Sequence, residues 1–400
     1  MMHRLVRRQR MHAPGGQTVT FVELFFDLVF VFALTEITSF TAEHLDAGGV
    51  ARAVLILWFV WWGWSQWTWA LNSADTDHGG IRLVTLLATA IAFLMAVSVA
   101  DAFHDGGGGW FVLPYVGVRA LGLMLYARVA TERDGHLTPV LLFAGTSSAG
   151  LLAALIGGFV DADARVWWWL AAAVLELAAA GVSAKSEQWH LHVPHFTERH
   201  GLIVIIALGE SLIVAAAGVA GAERSNELMA VAIGALVVTC LMWWTYFGWF
   251  REGLEVRFRE AQGSAQSLFA RDVYSLLHLL LVAGIVAMAV GFEEMVHHPN
   301  DPVAPEVLGA LGVGAGLFLG ASALAWARAR RKLLWVRLIA PAGLAPLLVV
   351  ATDLAPWLVL TLVALAFACV VVVEEIRPPD AEVPPDADVE APPIEHAEHD

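Results

Sequence analysis

Cysteine is nearly missing from this chain. Two occur in 400 residues, Cys240 and Cys369, each inside an apolar run, so neither a disulfide framework nor a paired metal-binding spacing is expected. Charge is scarce as well: 15% of the residues are charged while 58% are hydrophobic, a balance that excludes an ordinary soluble domain. Basic residues are outnumbered, 23 to 38, giving a formal net charge of -15; no basic surface for a nucleic acid is available. Enzyme signatures are missing too. The chain has no H-E-x-x-H and no G-x-S-x-G, and its "DGGGG" at 105 to 109 lacks the strand and lysine of a phosphate loop. An enzymatic activity, a cofactor, a metal site and a nucleic-acid partner are therefore not expected.

What is present is apolar sequence in long runs, each a candidate transmembrane helix. Twelve are found, at 19 to 43, 49 to 71, 81 to 100, 109 to 130, 138 to 158, 166 to 184, 201 to 220, 228 to 250, 272 to 292, 305 to 326, 334 to 352 and 355 to 375. The expected fold is an all-α polytopic transmembrane helix bundle. With the N-terminus inside, 19 of the 23 basic residues fall on the cytoplasmic side; only Arg52, Arg165 and Arg224 fall outside, and Arg119 lies within the fourth run. That asymmetry predicts a multi-pass protein of the cell membrane with both termini cytoplasmic. Arg4, Arg7, Arg8 and Arg10 precede the first run, but the run is too long and too acidic for a cleaved signal. At the other end, residues 378 to 400 carry eight acids, no base and six prolines, the composition of a disordered tail.

Weak internal similarity suggests two parallel six-helix halves, 19 to 184 and 201 to 376, flanked by a basic N-terminus (1 to 18) and a tail from 377, and joined by a His-rich cytoplasmic loop, 185 to 200. Trp61 and Trp62 match Trp243 and Trp244 at an offset of 182, and Asp27 matches Glu210 at 183.

The first run poses the central question. "FVELFFDLVFVFALTEIT" at 21 to 38 contains Glu23, Asp27 and Glu36 among twelve Leu, Ile, Val and Phe residues. Each of those twelve favours insertion by ~0.3 to 0.6 kcal/mol, whereas one central Asp costs ~2.5 to 3.5 kcal/mol, so the helix inserts with its acids. Glu23 and Asp27 share a face at i,i+4 and should point at protein or water. The other ionisable residues at depth are Arg119, Glu176, Glu210 and His278. Arg119 cannot shed its proton and must find an anion; Asp27, Glu210 and Glu176 are the candidates. Such a set suits an ion or proton path, with Arg119 as the fixed counter-charge, and it equally suits a static structural pair. His278, alone on its helix, reads more simply as a hydrogen-bonded core residue.

Two further features carry less. His190, His192, His195 and His200 in "HLHVPHFTERH" lack a closed metal-ligand spacing, with Pro194 interrupting the helical register. The Trp clusters at 58 to 69, 167 to 169 and 243 to 249 fit membrane-interface belts, with part of the first reaching the interior.

Taken together, "VELFFDLVFVFALTEIT", "TERHGLIVIIALGES" at 197 to 211, "WWTYF" at 243 to 247 and "RDVYSLLHLLLVAGIVAMAVG" at 271 to 291 resemble the bacterial low temperature requirement protein A family. The resemblance implies a polytopic inner-membrane protein linked to growth in the cold. It draws attention to Glu23, Phe26 and Asp27, to Glu198 and Arg199, to Gly209 and Glu210, to Trp244 and Tyr246, and to Arg271, Asp272 and His278. Where the family often places an acid after Tyr-Phe, this chain has Gly248. "FFDLVFVFAL" is also similar to the Phe-Ser-Asp motif of a non-canonical potassium channel family, with Phe26 in place of Ser. The expected function is an ion- or proton-coupled transporter with Asp27 and Glu210 in corresponding positions; a cation channel and a non-transporting membrane scaffold or cold-adaptation factor are the alternatives. Membrane lipids, a small ion or solute and a second copy of the chain are the expected partners.

Overall fold

The computed structural model describes residues 17–132, 137–183, 191–220 and 222–379. The basic N-terminus, His190 and the acidic tail from 380 lie outside them, as do Arg133 and Lys185.

Twelve helices follow one another without a strand among the described residues: α1 (Phe21–Glu43), α2 (Ala47–Asn72), α3 (Gly79–Val97), α4 (Gly107–Glu132), α5 (Leu137–Gly158), α6 (Ala162–Ser183), α7 (Val193–Ala220), α8 (Asn226–Glu260), α9 (Gly263–His297), α10 (Pro305–Arg330), α11 (Trp335–Val349) and α12 (Pro356–Ile376). Ten of them are long and apolar enough to cross a membrane. The other two are α1, which carries four acids, and α11, with 15 residues and Pro341 and Pro346 inside it. At 1.5 Å per residue, α11 spans about 22 Å, short of a hydrocarbon core of about 30 Å.

Local chemistry sets the boundaries. Asp46 and Ser225 cap α2 and α8 by accepting backbone N–H groups of the first turn, and Pro305 and Pro356 open α10 and α12, where a missing N–H is harmless. Helix α8 breaks at Trp249 and continues as the charged arm Phe250–Glu260. Within α9 the backbone widens to a π-helix over Ala270–Leu277, a rarity often found at functional sites.

Large apolar side chains cover the outside of the bundle, among them Phe21, Leu83, Trp110, Val349 and Ile376. Exposure on that scale is what a lipid-facing surface requires. Helices α2 and α9 are the most enclosed, and α9 packs on α1, α2, α7, α8 and α10. Helix α8 is peripheral by comparison. Trp61 and Trp62 are consequently buried while Trp243 and Trp244 are about half exposed, so the matched Trp pairs sit in different surroundings.

The segment expected to be a loop at 185 to 200 is helical from Val193 onward. Pro194 occupies the first turn, the place where proline suits a helix, and His195, Arg199 and His200 are fully buried. A polar, His-rich start hid a helix whose charges are neutralised by its neighbours.

Candidate functional site: a polar seam between α1, α2, α7 and α9

Helices α1 and α7 lie side by side and run in the same direction. Asp27 meets Arg199 near their starts, and Thr38 meets Glu210 eleven residues later on each. We call the end where α1 begins proximal and the opposite end distal.

At the proximal end two carboxylates gather around one arginine. Glu23 accepts the Thr20 N–H and hydroxyl, each at 2.9 Å, fixing the first turn of α1. Its other oxygen faces His195 Nε2 at 2.8 Å and Arg199 Nη1 at 3.4 Å. Asn72 donates to His195 Nδ1 at 3.2 Å, which leaves Nε2–H to donate to Glu23. Arg199 also donates to Asp27, whose Oδ1 accepts the Trp64 indole N–H at 2.8 Å. The guanidinium lies 5.8 Å from the Trp64 ring, within cation–π range. Glu198 completes the entry by accepting the Val19 N–H at 3.2 Å.

Next to Arg199 are two imidazoles. His200 donates from Nδ1 to the Phe196 carbonyl at 2.8 Å and keeps Nε2 buried without a partner. His278 donates from Nδ1 to the Val273 carbonyl, which the π-helix brings within 2.8 Å, and accepts the Tyr246 hydroxyl at Nε2, also at 2.8 Å. Their rings are 5.6 Å apart. The same π-helix presents Ser275, whose carbonyl accepts the Trp61 N–H at 2.7 Å and whose hydroxyl accepts the Trp69 N–H at 3.0 Å.

Beyond the imidazoles the seam turns apolar. Phe30, Leu34, Val60, Ile203 and Val282 line a narrow gap there, together with Leu57 and the Trp61 and Trp64 rings. Past it stands Glu210, fully buried, with no hydrogen-bond partner on either oxygen. The Thr38 hydroxyl beside it donates to the Leu34 carbonyl instead. On the distal side is a second acid, Glu293, which accepts the Ser39 hydroxyl at 3.3 Å and leaves Oε2 unpartnered. An open vestibule of about 840 Å³ follows, between α7, α8 and α9, with Glu223 and His297 in its lining.

Asp27 and Glu210 thus lie on one seam at different depths, about 16 Å apart along the helix axes, and not at equivalent positions. Arg119 serves neither of them. It donates to Glu176 at 2.8 Å and to Ser147 at 2.7 Å, joining α4, α5 and α6; Glu176 also accepts Ser147 at 2.6 Å and the Trp62 indole at 3.0 Å. The counter-charge for Asp27 is Arg199.

The remaining family-motif residues have defined places. Phe26 is buried and stacks on Trp67 at 5.4 Å. Gly209 faces open space. Trp244 is exposed and donates to Glu375 at 3.1 Å. Asp272 accepts Arg271 at 2.5 Å and Arg328 at 2.9 Å. Sequence reasoning missed two buried arginines. Arg165 donates to the carbonyls of Ala102, His104, Gly157 and Val160, and Arg337 forms a two-pronged pair with Glu374 at 2.7 and 2.8 Å while also donating to the Thr245 carbonyl. Both sit at helix termini, where the count of basic residues assigned them to loops.

The described residues contain no group of three His, Cys, Asp or Glu placed to hold a metal ion. Among proteins already known, a model of the bacterial low temperature requirement A proteins matches residues 18–373. A protein of Rhizobium meliloti (strain 1021), described as uncharacterized, is 28% identical over 291 residues, 70% of each chain. No solved structure matches.

Proposed function

Because the chain belongs to the bacterial low temperature requirement A family and folds as a bundle of membrane-length helices, we propose that it is an ion- or proton-coupled transporter in which Glu210 takes up and releases the coupling ion. One observation carries this reading. Asp27, Glu176 and Glu374 each have an arginine, whereas Glu210 is equally buried and has no hydrogen-bond partner. Intramembrane carboxylates are costly and mark ion or proton routes when they lack a fixed counter-charge.

The surroundings support the same role. Glu293 stands on the distal side of Glu210, and the vestibule lined by Ala217, Gly218 and Glu223 lies beyond it. Leu34, Ile203 and Val282 separate it from the imidazoles on the proximal side. A buried carboxylate between an apolar layer and a distal vestibule suits alternating access. An apolar layer can also be the dewetting gate of a channel, so conductance is the measurement that separates carrier from channel. On this reading Asp27, Glu23 and Arg199 form the fixed proximal frame, and the protein works in the cell membrane with its proximal end, and both termini, on the cytoplasmic side, as the distribution of basic residues supports.

The test is flux in proteoliposomes with an internal pH dye and imposed H⁺, Na⁺ and K⁺ gradients. Wild type should move at least one of these ions, and Glu210→Gln should lower that flux at least tenfold while remaining folded. Undiminished flux in Glu210→Gln would remove Glu210 from the path, and single-channel conductance in a planar bilayer would replace the carrier by a channel.

A further inference from the structure

A second cavity, which shares Trp69 and Ser275 with the seam, opens where α2, α4 and α6 end and α9 begins. The space within it that the centre of a water molecule can occupy is about 40 Å³, room for more than a single water. Its walls are largely apolar and aromatic, with Trp62, Trp67 and Phe143 among them. Among the described residues two charged side chains line it, Arg119 and Arg271, and no acid does.

The two arginines differ in what they have left to offer. Arg119 is 2% exposed and uses only one terminal nitrogen for Glu176 and Ser147; its Nε and Nη1 are buried without a partner. The Trp67 indole N–H is likewise buried and unpartnered. Buried donors in this state are expensive, and an acceptor in the cavity would satisfy them. Arg271, part-exposed and paired with Asp272, stands where α9 begins. Gly63 and Gly122 both line the space, and a Cβ on Gly122 would press on the Trp67 ring at 3.1 Å, so glycine there lets α4 approach that ring closely.

We infer that this cavity binds a small organic anion with a flat apolar body, its charge held between Arg119 and Arg271 and its body between the Trp62, Trp67 and Phe143 rings. Planar guanidinium groups match carboxylate geometry, and aromatic walls favour a flat partner through offset stacking. An aromatic or heteroaromatic monocarboxylate is the class that fits. The inference deepens the coupled-transport reading by naming its solute, and rests on it only for the claim that the bound anion is carried.

The experiment is isothermal titration calorimetry on the full chain in zwitterionic nanodiscs, with indole-3-acetate as the anion, indole as the neutral body and tryptamine as the cation. Indole-3-acetate should bind, and tryptamine should bind at least tenfold more weakly. Arg271→Gln should weaken indole-3-acetate at least tenfold and leave indole unchanged, which a folding defect would not do. Equal affinity for anion and cation, no binding of indole-3-acetate, or indifference to Arg271→Gln would each overturn the assignment. Displacement of indole-3-acetate by nanodiscs containing phosphatidylglycerol would overturn it in favour of a lipid headgroup. Because the readout is binding, a negative result here together with ion flux that depends on Glu210 would leave the transport reading standing with a different solute.

Discussion

The two ends of the α1–α7 seam hold the same kind of residue in opposite conditions. At the proximal end two carboxylates share an arginine, a histidine and an indole. Eleven residues on, Glu210 has comparable burial and none of that company. The difference teaches that burial alone does not make an intramembrane acid an ion site. A carboxylate fixed by a guanidinium is a clamp, since releasing either partner strands the other in a medium that cannot solvate it. A carboxylate without such a partner can exchange its proton or bind a cation without breaking a structural contact.

Breaking the clamp should produce the largest effect. Arg199→Met leaves Glu23 and Asp27 buried without their shared cation, and a loss of about 3 to 5 kcal/mol is expected, measured as a fall in the midpoint of thermal or denaturant unfolding in detergent. If Arg199→Met is as stable as wild type, the proximal cluster is not a clamp and the contrast drawn here fails.

A smaller effect is expected at the imidazoles next to Arg199. Tyr246→Phe removes the hydroxyl that donates to His278 Nε2 and should cost about 1 kcal/mol or slightly more, because a buried acceptor is left unmet. The same unfolding assay measures it, and a cost as large as that of Arg199→Met would show that the imidazole layer belongs to the clamp. The smallest change in stability should come at the distal end. Glu210→Gln replaces an unpartnered carboxyl by an amide of the same shape and should shift stability by less than about 1 kcal/mol. Severe destabilisation there would mean that Glu210 has a structural partner after all.

Much of the fold was legible because membrane insertion leaves its record in local composition. Runs of 18 or more apolar residues announced the helices, and the i,i+4 spacing of Glu23 and Asp27 announced a shared interior face. Partners were another matter. Arg119 was seen to need an anion, yet choosing Glu176 over Asp27 or Glu210 depends on which helices touch, and hydropathy holds no information on packing between non-adjacent segments. Arg199, Arg165 and Arg337 were harder still. Each stands beside a helix end, where a count of basic residues treats it as a solvated loop charge, while the structure turns it inward to a carboxylate or a set of carbonyls. The proline at 194 misled for a related reason: within a helix it breaks the register, but in the first turn it starts one.

The π-helical stretch Ala270–Leu277 also fixes the phase of α9. It holds one residue more per turn than the ladders on either side, so the two ends of the helix are rotated relative to an unbroken α-helix by about 100°. Ser275 can therefore meet the indoles of Trp61 and Trp69 and Arg271 can line the cavity while His278 faces Tyr246 and His200. Removing a single residue from this stretch would restore an even winding, and all of these side chains could no longer face their present neighbours at once. The sequence of α9 is in this sense tuned in length as well as in chemistry, and a shortening of one residue should do more harm there than most substitutions within it.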